Sequence, residues 1–325
     1  MLSRRLFLVV AILALAACTV RAAEKEKVKL GLSLKQGDSY EIEVVMDQDI
    51  QQTINGQDQN VKQKMTMVYS MDVAKTDAEG DTNMKITYKR TGMSMDGATG
   101  KIEYDSVDPN AKVVPQTNGL AAITGQSFSV TLTAGGAVKA VQGVDEMLDN
   151  VMKTIDIKDA TMKDAVVAQI KKSFGAEAMK QTMGRMFDIY PDKAVGVGES
   201  WRKSVPMDVM VPMTVDTEWT LLSRAKGQSR VQVESKVSTD PKSEGMNLGG
   251  ITLKVLLNGT QKGEMQIDEA SGLTASAQVE QTIEGKMEAE RGAGKSSWPI
   301  SIKGTYTFRA HATKRLTKPA SRGII

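Results

Sequence analysis

The chain has 325 residues, a formal net charge of +3, one cysteine and one histidine. Arg4, Arg5 and Arg21 carry that whole excess, so the remainder is near neutral and offers no basic surface for nucleic acid. A single thiol and a single imidazole exclude internal disulfides, zinc sites built on histidine or thiolate clusters, and two-histidine mechanisms.

Arg4 and Arg5 precede Leu6–Ala17, an unbroken apolar run of twelve residues. A membrane-spanning helix needs roughly twenty. A charged start, a short apolar stretch and small residues after it are the marks of a secretory signal peptide. Residues 1–22 are therefore expected to direct the chain to the periplasm or cell envelope. Two processing sites stay open. Leu15-Ala16-Ala17-Cys18 fits a lipobox, which would put a lipid anchor on Cys18 without spanning the membrane. Val20-Arg21-Ala22 fits ordinary cleavage before Ala23. The route is open too, because Ser3-Arg4-Arg5-Leu6-Phe7-Leu8 resembles a twin-arginine export motif.

Residues 23–143 read as a β arm. Tyr40, Ile42, Val44 and Met46 alternate with Glu41, Glu43 and Val45. Met65, Met67, Tyr69, Met71 and Val73 keep the same period, as do Met84, Ile86 and Tyr88. Period-two spacing puts one set of side chains on a core and the other in water, as in antiparallel sheet with one wet face.

Residues 144–190 switch to helical spacing. Val144, Met147, Leu148, Val151, Met152 and Ile155 form one stripe. Met162, Val166, Ile170 and Phe174 form a second, and Met179, Met183, Met186 and Phe187 a third, stopped by Pro191.

Residues 191–325 read as a second β arm, through Val231, Val233 and Val237, Leu253 and Val255, Val279 and Ile283, then Ile300, Ile302, Tyr306 and Phe308. Turn signals punctuate both arms at Asn55-Gly56, Glu79-Gly80-Asp81, Asp96-Gly97, Gly135-Gly136, Lys226-Gly227, Asn258-Gly259 and Ser271-Gly272. The expected fold class is α+β: two antiparallel β-meander arms, curved sheets or a half-barrel, flanking a short helical segment.

Both arms open on a glycine, an acid, a serine and an aromatic: Gly37-Asp38-Ser39-Tyr40 and Gly198-Glu199-Ser200-Trp201. That echo suggests a duplicated half-module. With the stretch Pro191 to Trp201 and the spacing Gly263-x4-Asp268-x3-Gly272, it resembles a family of exported bacterial proteins known only as a domain of unknown function. The resemblance implies no activity and no site residue. The order of meander, helices, meander is also similar to half-barrel lipoprotein carriers of the LolA and LppX type, in which a curved sheet wraps helices beside an apolar cavity. That likeness concerns fold alone.

Chemistry-bearing patterns are sparse. Gly292-Ala293-Gly294-Lys295-Ser296 ends like a phosphate loop but has Ala289 where the pattern needs glycine, and a strand follows instead of a helix. His311 falls on a strand beside Arg309, as a surface histidine would. Glu41/Glu43 and Glu288/Glu290 alternate in strands and read as solvent faces, and Asp77 to Asp81 lacks calcium-loop spacing. Methionine is the unusual residue, with twenty in the chain. Met183/Met186 and Met207/Met210/Met213 have spacings a soft Cu(I) ion would use, a remote alternative. Methionine also lines adaptable apolar surfaces. Met147, Val151, Met179, Met183, Met207 and Met213 are thus expected to line a cavity for an acyl chain or hydrophobic peptide. The expectation is an exported, non-catalytic envelope protein without cofactor or metal that binds a lipid or other apolar ligand. The alternative is a structural or assembly module whose closed core offers a strand edge to an envelope partner; an enzyme ranks third.

Overall fold

The computed structural model describes residues 26–314 except 55–56, 99, 134–135, 155–166, 168–170, 172–174, 209–211, 241–244, 249–250 and 293. Residues 1–22, expected to be a signal peptide, Cys18, the second helical stripe and Met210 lie outside these residues. In chain order the elements are β1 (Ser39–Ile54), β2 (Gln57–Thr76), β3 (Thr82–Gly97), β4 (Gly100–Asp105), α1 (Asn118–Ile123), β5 (Ser127–Leu132) and β6 (Val138–Gln142). Then come α2 (Val144–Lys153), α3 (Ala176–Phe187), β7 (Ser200–Asp208), β8 (Pro212–Ala225), β9 (Gln228–Thr239), β10 (Met246–Leu248), β11 (Ile251–Asp268), β12 (Thr274–Arg291) and β13 (Gly294–Lys314).

The two arms form one open, curved antiparallel sheet of thirteen strands, half-barrel in form. The order is β6-β5-β3-β2-β1-β13-β12-β11-β9-β8-β7, with β4 beside β3 and β10 beside β11. The seam is β1 against β13, paired from Ser39↔Lys314 to Gln52↔Ile300. Helices α2 and α3 lie between the arms in the chain, after β6 at one edge of the sheet, while the first and last strands meet at its middle. β9 shows why these segments are strands: Val231, Val233, Ser235, Val237 and Thr239 are buried, and Arg230, Glu234 and Lys236 of the alternate set are exposed.

Two apolar clusters sit on the inner face. One gathers Tyr40, Met71, Met84, Ile86, Phe128 and Val130 beneath Val144, Met147 and Leu148 of α2 and Met183 of α3. The other gathers Trp219, Leu221, Val231, Val233, Met265 and Ile267 beneath Leu30 and Val195. Leu30 is carried there by the Val28↔Val195 bridge, closed by two backbone hydrogen bonds of 2.9 Å. Helix α2 has Asp145 and Glu146 in its first turn and Lys153 in its last, charges that match the helix dipole.

The echoed tetrapeptides fold identically. Gly37 and Gly198 both take left-handed backbone, at φ 85° and 87°. The Gly37 N–H donates to Val73 O at 2.8 Å and the Gly198 N–H to Leu221 O at 2.7 Å. Val73 N–H returns to Asp38 O at 2.9 Å, and Leu221 N–H to Glu199 O at 3.0 Å. Each acid caps its own turn: Asp38 Oδ2 accepts the Lys35 N–H at 3.3 Å, and Glu199 Oε2 the Gly196 N–H at 2.9 Å. Each serine then reaches the polar residue before the hydrophobe, Asp72 in one arm and Thr220 in the other. The β7–β8–β9 meander therefore repeats the β1–β2–β3 meander in order and in hydrogen bonding.

Glycines set the curvature. On β11 and β12, Cβ atoms at Gly259, Gly263 and Gly285 would come within 2.5, 2.0 and 1.9 Å of a carbonyl oxygen of the paired strand, and at Gly304 of β13 within 2.5 Å of Asp47 O. Register places all four on the inner face, so the sheet folds toward that side more sharply than any side chain there would allow. This corrects one turn signal. Asn258-Gly259 lies inside β11, and its glycine bends the strand instead of reversing it.

Candidate functional site

Strands of this length outrun their core. β2 and β13 have 20 and 21 residues, and the two buried clusters occupy one end of the sheet. Beyond the clusters the inner face remains apolar, in rows that the register defines. One row runs Val61, Ile50, Ile302, Ile283, then Val237 and Val215. Ile300 and Leu257 lead the next, Trp298, Met287 and Val255 the one after. Most of these side chains are half-buried, while their outward neighbours Lys62, Lys303, Thr282, Lys236 and Glu284 are exposed.

One row breaks the pattern. Gln63, Gln48, Gly304, Gln281, Gln261, Ser235, Thr217 and Lys203 share a level across eight strands, with apolar rows on either side. Gln48 Nε2 donates to the Tyr306 hydroxyl at 3.1 Å, and Gln281 reaches the same hydroxyl. Burial pushes the Tyr306 phenol upward, so it remains a neutral donor and acceptor. Gln261 Nε2 donates to Gln281 Oε1 at 3.3 Å, and the Thr217 and Ser235 hydroxyls pair at 2.9 Å. Gly304 has no side chain between Gln48 and Gln281, which lets both amides converge on one phenol.

A separate groove of about 910 Å³ lies where the edges of the sheet approach each other. Leu30, Leu32, Val138, Phe187 and Tyr190 supply its apolar lining, with Lys203 of β7 at its rim. The Lys203 ammonium pairs with Asp188 and, at 3.7 Å, with Asp192, tying the chain after α3 to β7.

The residues expected to line a cavity are dispersed. Met147 and Met183 are packed in the core at 3% and 7% exposure, and Met179 packs against the same cluster. Val151 is half-buried on α2. Met207 and Met213 are register partners on β7 and β8, on the opposite arm. None of the six lines the 910 Å³ groove.

Other sequence features resolve as structure. The phosphate-loop lookalike is the β12–β13 turn, and its Lys295 pairs with Glu290 at 3.0 Å and Glu288 at 3.2 Å. Glu288 is buried instead of solvent-facing, held ionised by Lys286 and Lys295. His311 lies exposed, 3.6 Å from Glu41. Asp77, Glu79 and Asp81 bring carboxylates within 4.8 Å of one another, but Asp77 caps the amides of its own turn and Asp81 pairs with Lys139. No helix among the described residues is long and apolar enough to cross a membrane.

Strands β3 to β11, the Asp268–Gly272 turn and the second glycine-acid turn lie within residues 79–274, the span matched by the model of a family of unknown function, DUF6263. The chain belongs to that family. The match covers more than half of the sequence and includes the arm junction and both helices α2 and α3. No curated protein matches this DUF6263 chain. Among solved structures it is similar to lipovitellin, in a structure titled for lipid–protein interactions, at 6% identity and TM-score 0.47. That likeness covers 88% of this chain and 26% of lipovitellin, so the chain spans about a quarter of its length. It is also similar to the translocator domain of the autotransporter NalP from Neisseria meningitidis, at 9% identity and TM-score 0.20, covering 85% and 90% of the two chains. An outer membrane channel from Pseudomonas putida F1 matches at 7% identity and TM-score 0.25, covering 86% and 97%.

Proposed function

We propose that the protein is an exported, non-catalytic binding protein of the cell envelope that holds an elongated apolar ligand against the inner face of its curved sheet. The observation that carries this reading is the set of half-buried aliphatic rows beyond the core, through Ile50, Ile283, Ile302, Ile300 and Met287. Three such rows, two residues apart along a strand, span about 13 Å. Each methylene buried there contributes about 0.8 kcal/mol, and micromolar affinity needs about 8 kcal/mol. A single acyl-length chain lying along the rows offers a gross contribution of that order, offset by the cost of immobilising it. Export rests on Arg4, Arg5 and the apolar run Leu6–Ala17.

The sheet edges favour binding over assembly. β7 carries Arg202, Lys203 and Pro206 and β6 carries Lys139, residues that blunt an edge against strand addition.

Nile red titration of delipidated protein tests the reading. Wild type is expected to give saturable blue-shifted emission, and Ile302→Glu, which puts a charge in the row, to weaken it at least tenfold. Equal binding by the variant, or none by wild type, rejects it. Intact mass of protein from its own membrane tests export, expecting a start at Ala23 or a lipidated Cys18.

A further inference from the structure

The glutamine row interrupts an otherwise aliphatic surface with amides that a bound ligand could use. Gln48, Gln63, Gln261 and Gln281 sit on four different strands, each where the inward alternation calls for an apolar residue. A primary amide offers two donors and two acceptor sites, and one left unsatisfied in an apolar setting is unfavourable. Gln261, Gln281 and Tyr306 satisfy part of that capacity among themselves. Gln48 spends one N–H on Tyr306, and Gln63 has no side-chain hydrogen bond among the described residues. Hydrogen-bonding capacity therefore remains at Gln48 and Gln63, directly opposite each other across β1 and β2.

The row is also uncharged over the strands that carry these amides. Lys62, Lys64 and Lys303 lie on the outer face of the same strands, and Lys203, at the far end of the row, is held by Asp188 and Asp192. An ionised carboxylate or phosphate placed here would be desolvated with no counter-charge. A neutral ester or amide would not. Apolar side chains lie on both sides of the row: Met46, Met65 and Val279 toward the core, Ile50, Ile283 and Ile302 away from it.

We infer that the row seats the uncharged hydrogen-bonding group of a ligand with apolar parts on both sides of it, as in the ester of two long chains. The inference rests on the proposed apolar binding surface and names the class of ligand that surface takes. Gln48 and Gln63 donate to the ligand carbonyl, while Gln261 and Gln281 hold Tyr306 in place beside it.

The test is competition against Nile red by three probes: decyl octanoate, a linear alkane of matching length, and palmitate. Wild type is expected to bind the ester at least tenfold more tightly than either of the others. Gln48→Leu/Gln63→Leu is expected to lose the preference, with ester affinity falling about tenfold and alkane affinity unchanged. Gln63→Met alone serves if thermal melting shows the double variant misfolded, with a smaller loss in the same direction. The inference is overturned if the substituted protein keeps its ester preference, or if palmitate binds wild type as tightly as the ester. If wild type binds Nile red but discriminates none of the probes, the ligand class is wrong and the apolar surface stands. If it binds neither dye nor probe, both fall.

Discussion

Glu269 shows how single residues fasten this sheet. Arg224 grips its carboxylate with two hydrogen bonds of 2.9 Å, and Ser229 adds one of 2.6 Å. The same guanidinium reaches Glu26 O at 3.1 Å, fixing the N-terminal strap to the β8–β9 hairpin. Both side chains are about one-fifth exposed, so the pair is shielded from much of the screening that weakens surface ion pairs. The Arg224 hydrogen bonds hold the Glu269 carboxyl below its ordinary value of 4.5. A carboxyl lowered on folding stabilises the fold above its unfolded value, and that contribution is lost as pH falls through the folded one. Glu269→Gln is therefore expected to lower stability by about 1–3 kcal/mol near neutrality. The gap between variant and wild type should close in acid, which urea midpoints at about pH 7 and pH 3 would show.

Elements take their shape from where glycine is placed. Gly285 brings β12 so close to β11 that a methyl group would lie 1.9 Å from Leu256 O. Gly285→Ala is expected to cost about 1–3 kcal/mol through backbone displacement. Gly294→Ala, whose methyl would sit 3.4 Å from Arg291 O, should be near neutral in the same denaturation assay. Helix α3 offers the converse. Gly184 has nothing within 4 Å of an added Cβ, so Gly184→Ala is expected to raise stability by about 0.5–1 kcal/mol. The same elements show how far the sequence could be read. Alternation placed β1, β2, β3, β9, β11, β12 and β13, and helical spacing placed α2 and α3. Asn258-Gly259 was misleading because a glycine that bends a strand and one that turns it look alike without the partner strand. The glutamine row carried a readable signal, since Gln48 interrupts Met46 and Ile50 and Gln281 interrupts Val279 and Ile283. Four such interruptions acquire meaning once register shows them side by side.

For the whole molecule the decisive contact is the seam between β1 and β13, from Ser39↔Lys314 to Gln52↔Ile300, which joins the two ends of the described chain. Closing so large a loop precedes most of the stabilisation it brings, so refolding is expected to take milliseconds to seconds or longer. Stopped-flow tryptophan fluorescence would measure it. Deletion of residues 294–314 would bare β1 and β12 as long unprotected edges. That variant is expected to aggregate and to lose a single cooperative unfolding transition, as size exclusion and urea titration would reveal.

The sequence by itself determined the long alternating strands, the helices α2 and α3, the repeated glycine-acid turn and the exclusion of thiol and imidazole cluster chemistry, because each is written in neighbouring residues through period, φ or residue type. The tertiary structure alone decided that both arms share one sheet, that Met147 and Met183 pack as core instead of lining a cavity, and that four glutamines from four strands form one polar row. Those facts depend on register and curvature, which arise between segments distant in the chain and leave no mark within any one of them.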